Sequence, residues 1–223
     1  MFKNIWDALR KNPLIDESYE IMDRLQHQTQ EMFMLSMKAL IDQDVDPDEI
    51  IRMDKNVNRN VQSVRRKVFE YFSLSSSPNI HGGLILISLV IDYERIGDYA
   101  KDLALMRDEY GFRGPFTHEI GDHLNSMKDR ILVMFMEAHD SLSEMEQSYP
   151  TKVTLQEREL KDEYDSMKDQ LMESNLKREE VVCALISARI MRRIAGHLDN
   201  IATSGARPFP KLGFKPGASS WED

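Results

Sequence analysis

Glu94 and Asp98 are the residues of this 223-residue chain whose type and spacing most directly suggest chemistry. They stand in Asp92-Tyr93-Glu94-Arg95-Ile96-Gly97-Asp98-Tyr99-Ala100, after an apolar run at residues 84–91. Residues four apart share one face of a helix, and Asp102 extends that face by another turn. Like charges so placed destabilise an isolated helix by roughly 0.2–0.5 kcal/mol per pair, so compensation is expected. A metal cation, a basic partner or water each meets that need. Hard carboxylate oxygens suit Mg²⁺, Ca²⁺ or Mn²⁺ and also occur in iron sites. Two carboxylates rarely fill a coordination shell, so Asp102, Asp54, a neighbouring helix or water has to contribute. Arg95 lies three residues from both Asp92 and Asp98 and can pair with either, a compensation without metal.

Other chemistries find little support. There is no phosphate-cradling Gly-rich loop with a following Lys-Ser or Lys-Thr, and no Gly-x-Ser-x-Gly elbow. The six histidines are scattered, and His118 and His123 are five apart, which is not zinc-protease spacing. The single cysteine, Cys183, lies in an apolar run and reads as a buried, inert thiol. One cysteine excludes an internal disulfide framework and a thiolate-rich zinc site. The net charge of −9 argues against broad attraction to nucleic acid, although Arg59, Arg65, Arg66 and Lys67 form a local basic run. No apolar run approaches the ~20 residues needed to span a bilayer, and no signal-peptide core opens the chain. The expected compartment is the cytoplasm.

The elements that must position Glu94 and Asp98 read as helices. Apolar residues recur at helical spacing over 16–42, 47–72, 84–109, 117–147, 151–173 and 176–203, and no alternating run suggests a sheet. Two helices leave an apolar face open and a third closes it. The expected fold is therefore all-α, a tandem pair of antiparallel three-helix bundles at residues 14–111 and 116–204. Gly111 to Pro115 marks the boundary between them. The 14 methionines read first as flexible core filler. Residues 1–13 open the chain as a short amphipathic segment whose Phe2, Ile5, Trp6 and Leu9 make one stripe. Its own bundle, a protein partner or dimer mate, and a membrane surface are the alternatives for what that stripe meets. Residues 205–223, with three prolines and three glycines, read as a flexible tail that nevertheless carries Phe209, Phe214 and Trp221.

The two halves also echo each other. The segment from Asp92 to Ala104 aligns with that from Ile190 to Ala202, Arg193 lying 98 positions after Arg95. The shared skeleton is Arg-Ile, a small residue, then an apolar stripe, consistent with internal duplication. With Glu94-Arg95-Ile96-Gly97-Asp98 in the third helix of a bundle, the chain resembles the PhoU family of phosphate-uptake regulators. That resemblance covers roughly residues 15–204. It implies a divalent metal (iron, or magnesium, manganese, calcium or zinc) on the first bundle only, held by Glu94 and Asp98 with Asp54 as a further candidate, to which the spacing along the helix adds Asp102. The second copy departs at both acidic positions, where Arg192 and Gly196 stand. Fixed positive charge there repels a divalent cation. Glu163 and Asp165 are candidate partners for Arg192 and Arg193. The resemblance further implies a non-enzymatic regulator whose partners are the ATPase subunit of a phosphate transporter and a sensor histidine kinase. A homodimer is expected, with no direct nucleic-acid binding and at most peripheral membrane association. The alternatives are an accessory protein of another ion transporter and a carboxylate-bridged metal enzyme.

Overall fold

The computed structural model of the chain describes residues 12–41, 45–143, 148–207 and 209–213. The amphipathic stripe of residues 2–9 and the tail beyond residue 213 lie outside the described residues. Six long α-helices make up the fold, and there is no strand among the described residues. They are α1 (Pro13–Ile41), α2 (Pro47–Leu74), α3 (Ile80–Tyr110), α4 (His118–Ser143), α5 (Ser148–Glu173) and α6 (Arg178–Thr203). Short 3-10 turns follow at Ser204–Ala206 and Phe209–Lys211.

Local chemistry sets the helix ends, and it moves several of them from their expected places. α1 starts at Pro13 rather than at Asp16, because Asn12 supplies the missing acceptors: its Oδ1 takes the Leu14 N–H at 3.0 Å and its carbonyl takes those of Ile15 and Asp16. Pro13 then occupies the first helical position, where a missing N–H forfeits no intrahelical hydrogen bond. α2 is capped by Asp46, whose side chain accepts from Asp48 N–H at 3.0 Å, with Pro47 again in the first turn. α3 begins a full turn before Leu84, at Ile80, because Asn79 caps it through Gly82 N–H and the Tyr71 hydroxyl accepts the Asn79 N–H at 2.7 Å. That extra turn runs through Gly83, where a Cβ would lie 2.4 Å from the Phe72 ring of α2. α3 stops at Gly111, whose φ of 66° is the left-handed cap geometry. α5 starts before Pro150 rather than after it, since proline is tolerated in a first turn.

Within each half, all three helices pack on one another: α1, α2 and α3 in the first, α4, α5 and α6 in the second. The first core gathers Ile21, Leu25, Phe33, Ile50, Val61 and Tyr93, all buried. Leu124, Ile131, Leu160, Met191 and Ile194 are buried likewise in the second half. The methionines divide as core filler and surface: Met32, Met37, Met127, Met134 and Met167 are buried, whereas Met34, Met136 and Met172 are exposed.

The halves meet face to face. α3 packs along α6, and α1 touches α4. Phe33 of α1 and Phe135 of α4 lie 6.0 Å apart, and Gln26 donates to the Phe135 carbonyl at 2.7 Å. The linker is held as well. The Arg107 guanidinium donates to the Gly114 carbonyl at 3.1 Å and covers the Phe112 ring at 4.5 Å, while Glu180 of α6 accepts the Thr117 N–H at 2.7 Å. The start of the tail folds back too, placing Leu212 against the core and the Phe209–Lys211 turn beside α3.

Candidate functional site

Glu94, Asp98 and Asp102 descend the outer face of α3, and Asp54 approaches from α2. Gly97 of α3 faces Val57 of α2, where a Cβ would stand 3.4 Å from a Val57 methyl, an ordinary contact. Each motif carboxylate is met by a cation belonging to the chain itself. Arg65 of α2 reaches Glu94 at 2.9 Å. Asp98 takes Arg95 at 3.3 Å and Lys101 at 3.2 Å. Lys101 also pairs with Asp54 at 3.0 Å, so one ammonium bridges a carboxylate on each helix.

Asp54 is the buried member of this group, and Asn58 donates to its Oδ2 at 3.4 Å. Its other oxygen, Oδ1, is buried without a hydrogen-bond partner. A carboxylate so enclosed requires a countercharge, and Lys101 is that countercharge. Partial desolvation lowers the Lys101 pKa, but the hydrogen bonds and charges of Asp54 and Asp98 outweigh it and hold the ammonium above its ordinary 10.5. Asp102 is exposed and makes none of these bridges. Its carboxyl is raised above the usual range, first by desolvation and then by Asp98, Glu109 and Asp54, against the lowering by Lys101.

A metal donor set requires oxygens converging on one point, with the local charge left to the ion. Here the convergence point of Asp54 and Asp98 is taken by the Lys101 ammonium, and Glu94 is turned to Arg65. No three His, Cys, Asp or Glu side chains among the described residues come together in a metal-holding group. As they stand, the four acids do not fit a divalent cation, because Lys101 and Arg65 would first have to leave. Of the expected quartet, the structure joins Asp54 to Asp98 through Lys101, puts Glu94 in a separate pair, and leaves Asp102 outside.

The second half replaces this chemistry. The Arg192 guanidinium lies over the Tyr164 ring at 4.9 Å, and that of Arg193 over Tyr99 at 5.5 Å. The expected pairing with Glu163 and Asp165 is overturned: Glu163 faces Arg130 at 3.4 Å and His123 at 3.8 Å, and Asp165 faces Lys168. Aromatic faces accept a guanidinium without a carboxylate. Gly196 meets nothing within 4 Å of a would-be Cβ.

Asp92, two residues before Glu94, points across to the other bundle. It accepts from Asn200 at 3.2 Å and lies 2.7 Å from His197 Nδ1, whose ring lies 5.7 Å from that of Tyr99. Arg65, Lys101 and this Asp92–His197 contact are the partners sequence reasoning missed. Lys101 at i+3 from Asp98 was a readable signal, and Arg65 lay within the basic run.

Cys183 is buried, and desolvation pushes its thiol up to about 11 despite the lowering effect of Arg107 and a Ser187 hydrogen bond. The unprotonated, nucleophilic form is thereby suppressed. A cavity of about 300 Å³ lies in the other bundle, between the start of α4 and the end of α5, lined by residues that include Ile120, His123, Met167 and Gln170.

Residues 22–106 match the family model of the PhoU domain. The fold as a whole is similar to the crystal structure of PhoU from Pseudomonas aeruginosa, with a TM-score of 0.79 over 87% of this chain and 96% of that one. At 18% identity that likeness is one of fold. No curated protein matches the sequence significantly.

Proposed function

We propose, on the premise that residues 22–106 form a PhoU domain, that this chain restrains phosphate uptake and phosphate-responsive signalling by protein contact, with no turnover of its own. The observation that carries the proposal is the coincidence of that domain with the intact Glu94-Arg95-Ile96-Gly97-Asp98 motif on its third helix. Long rigid helices offer extended faces suited to docking on another protein. The motif carboxylates are held in place by Arg65, Arg95 and Lys101, so they form a defined, charged surface rather than a loose acidic one. No helix among the described residues is long and apolar enough to cross a membrane. The partners in this reading are the ATPase subunit of a phosphate transporter and a sensor histidine kinase, met by the chain as a homodimer.

Affinity capture of the tagged chain from native cells, under phosphate limitation and under excess, tests the reading. The expected result is specific recovery of a transporter ATPase or a sensor kinase. A deletion strain should leave phosphate uptake, or expression of its genes, insufficiently restrained when phosphate is plentiful. Normal phosphate responses together with specific recovery of a different ion transporter would overturn it.

A further inference from the structure

Two histidines far apart in the sequence meet where the bundles touch. His27 of α1 and His139 of α4 stand with ring centres 6.0 Å apart and 67° between their planes. Gln26, beside His27, donates to the carbonyl of Phe135, one turn before His139, and so holds the two helices in that register. Asp23, four residues before His27 on the same face of α1, completes the group. Its carboxylate lies 3.9 Å from His27 Nδ1 and 3.8 Å from His139 Nδ1. Asp54 and Asp98 are met by Lys101, whereas Asp23 pairs with no lysine or arginine among the described residues. No resident cation therefore has to leave before another can enter.

Two imidazoles and a carboxylate have the chemistry of a borderline divalent metal. Imidazole nitrogen suits zinc, nickel and copper, whereas Mg²⁺ prefers oxygen alone. His27 Nδ1 lies 2.8 Å from the Asp23 carbonyl, which can only accept, so Nδ1 carries the proton and Nε2 keeps a free lone pair. One ring nitrogen donating to a backbone carbonyl while the other stays open is the usual arrangement of a metal-ligating histidine. Two imidazoles on one tetrahedral zinc, at Zn–N of roughly 2.0–2.1 Å, put their ring centres about 5 Å apart and their donor atoms about 3.3 Å apart. The observed 6.0 Å between rings and 3.8 Å from Asp23 to His139 exceed those spacings by about 1 Å or less. The donors do not converge on one point in the structure. The side chains of His27, Asp23 and His139 are 70%, 56% and 40% exposed, so they have room to turn onto one.

We propose that Asp23, His27 and His139 bind one divalent ion of zinc's class, with water completing its shell, and that the ion clips α1 of the first bundle to α4 of the second. The site lies on a different pair of helices from the Glu94–Asp98 motif. It is read on the purified chain, so it stands or falls independently of the regulatory partners. Zinc titrated calorimetrically into the metal-stripped full chain should bind at one ion per chain and raise the thermal midpoint. H27A and H139A replace exposed side chains, and circular dichroism checks that their helices are intact. Each should weaken zinc binding at least about tenfold and remove the thermal shift. E94A/D98A should bind zinc as the wild type does. So should H118A, which removes another exposed histidine–aspartate pair, His118 with Asp122. Excess Mg²⁺ should leave the zinc in place. No zinc binding would overturn the proposal, as would H27A and H139A variants that bind zinc like the wild type. Loss in only one of the two would show that the rings do not share an ion, and the clip would be wrong. Loss in E94A/D98A or H118A instead would place the zinc elsewhere and remove the site.

Discussion

Lys101 is the residue on which the motif's electrostatics turn. Its ammonium neutralises Asp54, whose side chain is only 9% exposed, and steadies Asp98 as well. Lys101→Met leaves Asp54 enclosed without its countercharge. Loss of a charged hydrogen bond at a largely buried site costs about 1–2 kcal/mol, read as a lower urea midpoint at unchanged slope. Asp54→Asn in the Lys101→Met background should recover part of that loss, because the penalty belongs to the stranded charge. The pH dependence follows from the raised Lys101 pKa. Its contribution is complete below the ordinary 10.5 and disappears as pH rises through the higher folded value. Lys101→Met should therefore lose less stability than wild type above about pH 10.5.

The same substitution addresses metal. With the ammonium gone, Asp54 and Asp98 face each other with spare negative charge. Mn²⁺ titrated calorimetrically should bind Lys101→Met at least about tenfold more tightly than wild type, a difference of only about 1.4 kcal/mol. Equal affinities would show that Lys101 does not occupy the cation position. Glu94 and Asp98 were legible in sequence because i, i+4 spacing is a local rule. Their partners were less so: Arg65 comes from another helix, and which basic residue of Arg59, Arg65, Arg66 and Lys67 faces α3 depends on the helix–helix register.

At the scale of the elements, Gly111, Gly97 and Gly196 differ in what a side chain would meet. Gly111 caps α3 with φ of 66°, where any Cβ is strained, and Gly111→Ala should cost about 1 kcal/mol. A Cβ at Gly97 makes ordinary contact with Val57 at 3.4 Å. Gly196 in α6 meets nothing. Glycine in a helix interior costs roughly 0.5–1 kcal/mol relative to alanine. Gly196→Ala should accordingly raise stability by about that amount, and Gly97→Ala by somewhat less, both visible as higher thermal midpoints. A fall at Gly196 would mean that α6 needs the missing side chain for something beyond its own packing. The helices themselves were plain from apolar periodicity, since burial on one face leaves that pattern in the sequence. Their ends were not, because Asn12, Asp46 and Asn79 act through single hydrogen bonds that many polar residues imitate.

At the scale of the molecule, the two bundles share an interface in which α3 packs along α6 and α1 touches α4. Phe33 and Phe135 meet across it, and both are fully buried. The Asp92–His197–Asn200 contact lies on the α3–α6 side of the same interface. None of this was visible in the sequence, because pairings between the halves leave no local spacing to read. Cys183 tests the consequence. It sits in the second bundle, wholly buried, with its thiol raised to about 11, so a thiol reagent can label it only after an opening. Phe33→Ala is made in the first bundle and should destabilise by about 3–5 kcal/mol through the cavity it leaves. If the halves open together, that loss reaches Cys183 undiminished. Each 1.4 kcal/mol then raises the labelling rate about tenfold when reclosing is fast, giving an acceleration of at least a hundredfold. An unchanged Cys183 rate in Phe33→Ala, with a lowered urea midpoint for the first bundle, would show instead that the two bundles unfold independently.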